Sequence, residues 1–416
     1  MKFISYSFQQ GGAAIAAKRF VELAEKVLNR EVELISVKQG LTFHFLKRVM
    51  AFLLVKLQND RNPIKHSLNL FSYKPLLNEF RQNQHTLHHI HWINNDTLSI
   101  FDFDKIPSGS IITLHDEWFY CGAEHVYKVD DDSLDFINGY SLNKRNILGI
   151  NWNFIIWKIK YKKLSSRQDI IFTVPSKWML NRASKSLILK HSNIRLLPNP
   201  IDTSIFKPLH KEHQLHYRKL IGISEESIVI TFAIFNGKNN TLKGNSQLIS
   251  ALQEWKRALS DKESERITLI VFGGNKKQSS MLCGFRCVEI GRINEQAELA
   301  LVYSTSSCVV VSSLVESFGQ VAAEAASCGV PVVCFDTSGL RDIVIDNVTG
   351  FVAERFKPKS LMNKLQCAIS MSDSEQQKMR SKAREHILTH FSYSIVAQKY
   401  AEIISDAEKI KALNTK

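Results

Sequence analysis

Ser307-Cys308-Val309-Val310-Val311-Ser312-Ser313-Leu314-Val315-Glu316-Ser317-Phe318-Gly319-Gln320-Val321-Ala322-Ala323-Glu324-Ala325-Ala326-Ser327-Cys328-Gly329-Val330-Pro331-Val332-Val333-Cys334-Phe335 reads as strand, loop, helix and second strand in one piece. Residues 308–311 form a short apolar run without polar alternation, the pattern of a strand covered on both faces of a parallel sheet. Residues 312–319 are polar and end in glycine. Residues 320–327 are alanine-rich with apolar side chains at helical spacing, and Gly329 and Pro331 stop the helix. The small side chains let this helix lie close to the sheet. Its N-terminus then presents the free N–H groups of Ser317, Phe318 and Gly319 above the strand ends, where helix dipole and unpaired donors favour an anion. Glu316 and Glu324 flank that terminus. A carboxylate repels phosphate, so both acids fit hydroxyl groups better. Together the pattern suits a nucleotide-sugar, with diphosphate on the helix and sugar and ribose on the acids. A surface helix with two solvated glutamates is the plainer alternative.

Working outward, 416 residues imply about two domains. Hydrophobic content of 44% and charged content of 23% are those of an ordinary soluble globular chain. The net charge of +14 implies an anionic partner: phosphorylated small molecules, an acidic membrane surface or nucleic acid. With no RNA-binding signature, zinc finger or basic low-complexity tail, nucleic acid is the weakest of these. No apolar run approaches the roughly 20 residues that span a bilayer, and the first residues lack a signal-peptide core. These features predict a cytoplasmic protein. The seven cysteines are odd in number and mostly in apolar contexts, as for reduced buried thiols. Cys283 and Cys287 have no second ligand pair nearby, so no zinc site is expected.

A strand at 3–6, then Gly11-Gly12-Ala13-Ala14, a helix through 27 and a strand at 32–37 open a doubly wound domain. Gly11 and Gly12 allow close backbone approach to a ligand at the strand's carboxyl end. G-x-G-x-x-G is absent, which counts against a dehydrogenase. Residues 40–85 are basic and aromatic and read as helix plus loops. A strand over 87–93 distributes its histidines between two faces, which argues against a metal site there. The strand at 110–114 ends in His115-Asp116-Glu117-Trp118, and a titratable histidine at that tip is a candidate for chemistry, or else a hydrogen-bonded structural residue. Residues 123–150 read as a long polar loop. Residues 151–163 mix aromatics with lysines and suit either docking on an anionic membrane or an amphipathic helix on the domain's flank. A strand over 170–176, read as the last of this half, and a helix from 177 follow. Pro198, Pro200 and Pro208 mark a linker, placing the boundary near residue 200.

The second half repeats the strand–loop–helix order. A strand at 228–235 leads to a loop carrying Lys238 and Lys243, and 267–272, 287–290 and 350–353 complete a second parallel sheet. Two such domains predict a cleft with the carboxyl ends of both sheets facing it. Gly12 and His115 would offer one wall; Lys238, Lys243, Ser317–Gly319, Glu316 and Glu324 the other. Breaking a sugar–diphosphate bond builds charge on the leaving phosphate, so two lysines at roughly 1.5–3 kcal/mol each would assist without a divalent metal.

Glu316 and Glu324 within Glu-Ser-Phe-Gly-Gln-Val-Ala-Ala-Glu-Ala, followed by Cys-Gly-Val-Pro-Val-Val, resemble the signature of retaining GT-B glycosyltransferases of family 4. The similarity extends to Gly11–Ala14, His91-Trp92, Thr113–Trp118, Val174–Trp178 and Asn347–Phe351, and the His-Asp-x-Trp form is similar to the colanic-acid, exopolysaccharide and O-antigen subgroup. The resemblance implies a GT-B fold of two Rossmann-like doubly wound α/β domains. An acceptor domain would span 1–200 and a donor domain 201–394, with a last helix over 395–416 crossing back. It implies that Glu316 contacts the donor sugar, Ser317–Gly319 the sugar and phosphate, Glu324 the ribose, Lys238 and Lys243 the diphosphate, and His115 the sugar near the reaction centre. It also implies a retaining, metal-independent hexosyl transfer, with no cofactor, from a UDP-, GDP- or dTDP-sugar. The acceptor would be lipid-linked or an oligosaccharide in surface polysaccharide synthesis, at the inner face of the plasma membrane.

Three positions depart from the family pattern. Gly237-Lys238 replaces Gly-Arg, keeping charge and losing the guanidinium fork. Pro200 stands in the linker where glycine is usual, removing an N–H. Ser338-Gly339 replaces Gly-Gly. Two other functions remain open from the sequence: a sugar-nucleotide epimerase of the same shape, and a non-catalytic sugar-nucleotide-binding partner.

Overall fold

The computed structural model describes residues 1–9, 11–37, 42–58, 64–127, 134–142, 149–234 and 241–414, with backbone only for 42–44. The chain divides into two units: Met1–Pro200 with Val396–Lys416, and Ile201–Ile395.

The first unit carries β1 (Lys2–Ile4), β2 (Glu33–Ile35), β3 (His88–Ile90), β4 (Ile111–Thr113), β5 (Ile171–Val174) and β6 (Asn193–Leu196). They form one sheet in the order β2-β1-β3-β4-β5-β6, every neighbouring pair parallel. Its helices are α1 (Gly12–Lys26), α2 (Thr42–Val55), α3 (Lys74–Gln82), α4 (Asp135–Asn138), α5 (Trp152–Leu164) and α6 (Lys177–Lys185). The strand order reverses between β1 and β3. That reversal is the switch point at whose carboxyl side open α/β sheets leave a crevice. Gly11, with φ +93°, turns the chain there into α1, a conformation that glycine adopts without cost.

One expectation needs correction in this unit. Residues 123–150 are not simply a polar loop: α4 interrupts them, and Tyr127, Phe136 and Tyr140 are buried. Glu124 is buried too and accepts a hydrogen bond from the Tyr140 hydroxyl. A further finding concerns 151–163. Helix α5 is capped by the Asn151 side chain, which accepts from Phe154 N at 3.1 Å. Its Trp152, Phe154, Trp157 and Ile159 pack against the unit's core. Three of the four aromatic residues of this helix are therefore used internally, and Lys158, Tyr161 and Lys162 are what it exposes. Lys160 is fully buried and donates to the carbonyls of Trp118 and Gly122.

The second unit contains β7 (Ile228–Ala233), β8 (Ile267–Phe272), β9 (Lys277–Leu282), β10 (Phe285–Gly291), β11 (Cys308–Val311), β12 (Val332–Phe335) and β13 (Gly350–Ala353). Its order is β13-β12-β11-β7-β8-β10-β9, with β9 the one antiparallel member. Cys283 (φ +52°) and Gly284 (φ +84°) make the β9–β10 turn, as a two-residue hairpin with both central residues left-handed requires. The helices are α7 (Lys211–Leu220), α8 (Asn245–Ala258), α9 (Asp261–Glu265), α10 (Gln296–Ser304), α11 (Gln320–Ser327), α12 (Leu340–Ile343), α13 (Pro358–Ile369) and α14 (Asp373–His390).

Both faces of this sheet are covered, which explains the all-apolar Cys308–Val311 run. Val309 and Val311 join α11 alanines in one core layer, whereas Cys308 and Val310 join Leu248, Trp255, Leu361 and Leu365 in the other. Ile201 N donates to Phe391 O at 2.8 Å, so the chain enters this unit just after Pro200. The last helix, α15 (Tyr393–Leu413), returns to the first unit. There Tyr400 Oη lies 2.6 Å from His89 Nδ1 and Lys411 donates to Gln84 O at 2.6 Å.

Candidate active site

In the second unit the strand order reverses at β7, with β8 on one side and β11 on the other. The loops leaving the carboxyl ends of β7 and β11 therefore meet at a switch point. Residues 235–240 lie outside the described residues, and with them Lys238. From 241 the loop is fastened to its neighbour. Leu314 N donates to Leu242 O at 2.7 Å, and Ser312 Oγ donates to Lys243 O at 2.9 Å. Gly244 makes this approach possible: at φ +64°, a Cβ would lie 1.9 Å from the Ser312 carbonyl oxygen.

That seam brings Lys243 to Glu316. Lys243 Nζ donates to Glu316 Oε1 at 2.5 Å, and Ser313 Oγ donates to the same oxygen at 2.8 Å. Both members of the ion pair are partly exposed. The Glu316 backbone is held as firmly, its N donating to Ser338 Oγ at 2.8 Å and its carbonyl accepting from Gly339 N at 2.9 Å. The departure at Ser338 thus has a structural role: its hydroxyl, on a residue with φ +44°, fixes the peptide that aims Glu316. Gly339 is needed for space, since a Cβ there would sit 2.6 Å from Ser317 O.

Gly319 is the N-cap of α11 with φ +103°, and a Cβ there would meet Leu340 Cδ2 at 2.7 Å. Phe318 points its ring into the core against Phe391, 5.6 Å between centroids, so only its N–H is offered to a ligand. Gln320 opens the helix, and its amide Nε2 is buried with no hydrogen-bond partner among the described residues. A buried orphan donor is costly unless a ligand oxygen satisfies it. Glu324 lies one turn further along, almost wholly buried, where its Oε2 accepts from Tyr303 Oη at 3.0 Å. The structure thus groups Lys243, Glu316 and the start of α11, and holds the Glu324 carboxylate against α10. The roles of Ser313, Gln320 and Tyr303 were not read from the sequence. Ser313, three residues before Glu316 in a tight loop, carried a usable signal; Tyr303, on a separate helix, carried none.

In the first unit Gly12 begins α1 after β1, His91 follows β3 and His115 follows β4. His91 Nδ1 and His115 Nε2 are 3.0 Å apart. Burial pushes the His115 imidazole down to about 4, against the pull of Asp116, and drives His91 well below its usual value. Both rings are neutral near pH 7, so they share one hydrogen bond. His91 Nε2 is buried without a partner among the described residues. A bare ring nitrogen there costs less than a buried unsatisfied N–H, which places the shared proton on His91 Nδ1. His115 then carries its own proton on Nδ1. Asp116 is occupied elsewhere, accepting from Trp92 Nε1 at 3.1 Å and Trp118 N at 3.0 Å, with His125 Nδ1 at 2.7 Å. Among the described residues no three His, Cys, Asp or Glu side chains are grouped to hold a metal ion.

Residues 225–386, which contain every described site residue of the second unit, match the family model for glycosyl transferases group 1. The match is to this segment, which is less than half of the chain. Relatives of the chain include a D-inositol 3-phosphate glycosyltransferase of Xylanimonas cellulosilytica, 32% identical over 178 residues, which are 40% of this chain and 40% of that protein. A lipopolysaccharide 1,2-N-acetylglucosaminetransferase of Salmonella typhimurium is 24% identical over 56% of this chain and 61% of its own length. The chain thus spans less than two thirds of the curated relatives it matches. Among solved structures, Anabaena Alr3699/HepE in complex with UDP-glucose covers 97% of this chain and 99% of its own, with a TM-score of 0.63 at 16% identity. That likeness is one of fold: two parallel-sheet α/β domains, the expected class and the one found in GT-B glycosyltransferases. The group 1 segment begins just before β7 and ends within α14, so it contains the whole second sheet.

Proposed function

We propose that the chain is a retaining glycosyltransferase moving a hexose from a nucleotide diphosphate sugar to a lipid-linked or saccharide acceptor in bacterial surface polysaccharide synthesis. The observation that carries this reading is the Lys243–Glu316 pair beside the N-terminus of α11, at the switch point of the segment that matches the group 1 family. A partly exposed ion pair contributes little stability, about 0–1 kcal/mol. Lys243 can therefore exchange the Glu316 carboxylate for the donor's diphosphate at small cost. The exchange frees Glu316 to accept a hydrogen bond from a sugar hydroxyl, while the N–H groups of 317–319 and Gln320 Nε2 meet anionic or hydroxyl oxygens. As the glycosidic bond to the nucleotide breaks, charge grows on the diphosphate, and Lys243 with the helix N-terminus stabilises it. Glu324, with Tyr303 orienting it, is assigned to the ribose, and Lys238, by the resemblance, to the diphosphate. His115, protonated on Nδ1 and neutral, is assigned as a hydrogen-bond donor to the transferred sugar.

The relatives named for inositol-phosphate and lipopolysaccharide transfer support a saccharide or phospho-alcohol acceptor. The reading extends to a cytoplasmic enzyme working at the membrane's inner face, with the lysines of α5 as one cationic contribution. The reaction is proposed to need no divalent metal, because Lys243 supplies the positive charge on the leaving group; chelation with EDTA should leave turnover unchanged.

The test is nucleotide release from UDP-, GDP- and dTDP-sugars in the presence of membrane extract, with product analysed for transferred sugar. Glu316→Gln and Lys243→Ala should each lower turnover by about 10²–10³ with unfolding midpoints preserved. Near-normal turnover in both would remove the site assignment. Interconversion of free sugar nucleotides without transfer would instead identify an epimerase.

A further inference from the structure

Helix α2 breaks the usual relation between surface and polarity. Phe45, Leu46, Val49, Met50, Phe52, Leu53 and Leu57 are all exposed, Phe45 to 62% and Phe52 to 61%. On a helix with about 100° between successive residues, the six of them within α2 occupy one arc of roughly 160°, and Leu57 lies in the turn that follows. The opposite side is apolar as well, with Ala51 buried and Leu54 and Val55 packed against the core of the first unit. Contiguous exposed apolar patches of this kind mark an interaction surface. Helix α2 has 14 residues, a length of about 21 Å, too short for a hydrocarbon core of about 30 Å.

The charges around the patch select its partner. Residues 42–58 contain Lys47, Arg48 and Lys56 and no acid. Lys47 and Arg48 border the arc and lean on rings of the first unit, Phe71 and Tyr6, at 5.5 and 5.0 Å. Lys56, in the turn that ends α2, lies 4.9 Å from the Phe52 ring, with a long stem able to lift its ammonium out of an apolar layer. Behind the helix is a groove of about 660 Å³ that adds Lys65 against a single lining acid, Asp96. A second copy of the chain would press this cationic set against itself within a molecule already at +14. An anionic bilayer satisfies both the apolar arc and the cations that frame it.

We propose that the outer face of α2 is the docking surface of this protein for a bilayer containing anionic phospholipid. The proposal deepens the lipid-linked acceptor reading, yet its readout needs no donor sugar. Loss of transfer with vesicle binding intact would remove the reaction and leave the surface standing.

The experiment is sedimentation of the full chain with phosphatidylcholine vesicles, with and without phosphatidylglycerol, at low and high salt. The wild type should pellet with the anionic vesicles and be released by salt. Phe45→Ser/Phe52→Ser/Leu53→Ser should lower the partition coefficient at least about thirtyfold while keeping the unfolding midpoint, because these side chains contact solvent. Lys56→Gln, which removes one charge and keeps the apolar side chains, should lower it about fivefold. Failure of the wild type to pellet, or equal pelleting of the triple variant, overturns the proposal. So does a wild-type dimer that the triple variant dissociates without any vesicle binding, which would make the face a self-interface.

Discussion

The two units solve the same architectural problem with different interiors. The second unit fills both faces of its sheet with aliphatic side chains and buried thiols, and its polar groups gather in loops at strand ends. The first unit threads titratable groups through its core: His88, His89, His91, Glu124 and Lys160 are all buried. Each needs a partner, because an unpaired polar group in a low-dielectric interior costs far more than its hydrogen bond returns. His89 sits between Tyr400 Oη at 2.6 Å and Thr113 Oγ1 at 2.7 Å, and His125 Nε2 lies 2.7 Å from Ser67 Oγ. One unit is held together by area, the other by area plus a wired set of polar contacts.

Acid should separate them most. Burial pushes His88 and His115 down to about 4 and His89 and His91 well below their usual value. The unfolded chain binds protons at these sites from about pH 6.5 downward, whereas the folded chain does not until about pH 4. Stability therefore falls as pH is lowered through that window, by about 1.4 kcal/mol per pH unit for each such histidine. Asp96, pushed up to about 6 by burial, takes up a proton in the folded state and offsets one of them. Five of the six tryptophans, at 92, 118, 152, 157 and 178, lie in the first unit and only Trp255 in the second. Urea unfolding at pH 5 should show the fluorescence midpoint well below that of far-ultraviolet circular dichroism, with the gap narrowing at pH 7.5. Equal movement of both midpoints would break the comparison.

A smaller effect should follow in the second unit from Gly244→Ala. The new Cβ would collide with Ser312 O in a left-handed conformation, costing about 2–3 kcal/mol or forcing the Lys243 loop away. Turnover should fall further than stability, and addition of donor should recover little; unchanged donor affinity would show that the seam does not position Lys243. Smaller still, His91→Phe keeps an aromatic ring among Phe3, Phe20 and His89 but removes the donor to His115. Turnover is expected to drop about tenfold, with the unfolding midpoint within a few degrees of wild type. A drop in stability without a drop in turnover would make His115 a structural residue.

The same contrast explains what could be read beforehand. The sheet of the second unit and the Glu316 loop were legible because their determinants are local: an apolar run, a polar loop, a glycine N-cap and an alanine-rich helix follow one another in sequence. In the first unit the partners are distant, as with Lys160 and Gly122 or His89 and Tyr400, and composition alone does not pair them. The lysine and aromatic content of 151–163 was visible, but not that Trp152, Phe154 and Trp157 turn inward while Phe45 and Phe52 of α2 turn outward. Glu324 was legible as an acid one turn into a helix, and not as a partner of Tyr303.

The return of α15 sets an order of events for synthesis. His89, and the Gly109 backbone against which Ala407 O packs closely, are completed only by residues beyond 396. At roughly 5–20 residues per second, the chain emerging after Pro200 keeps the first unit waiting about 10–40 s. The second unit, whose contacts are contained within Ile201–Ile395, has all its parts before that interval ends. The unit encoded first is thus the one whose interior closes last.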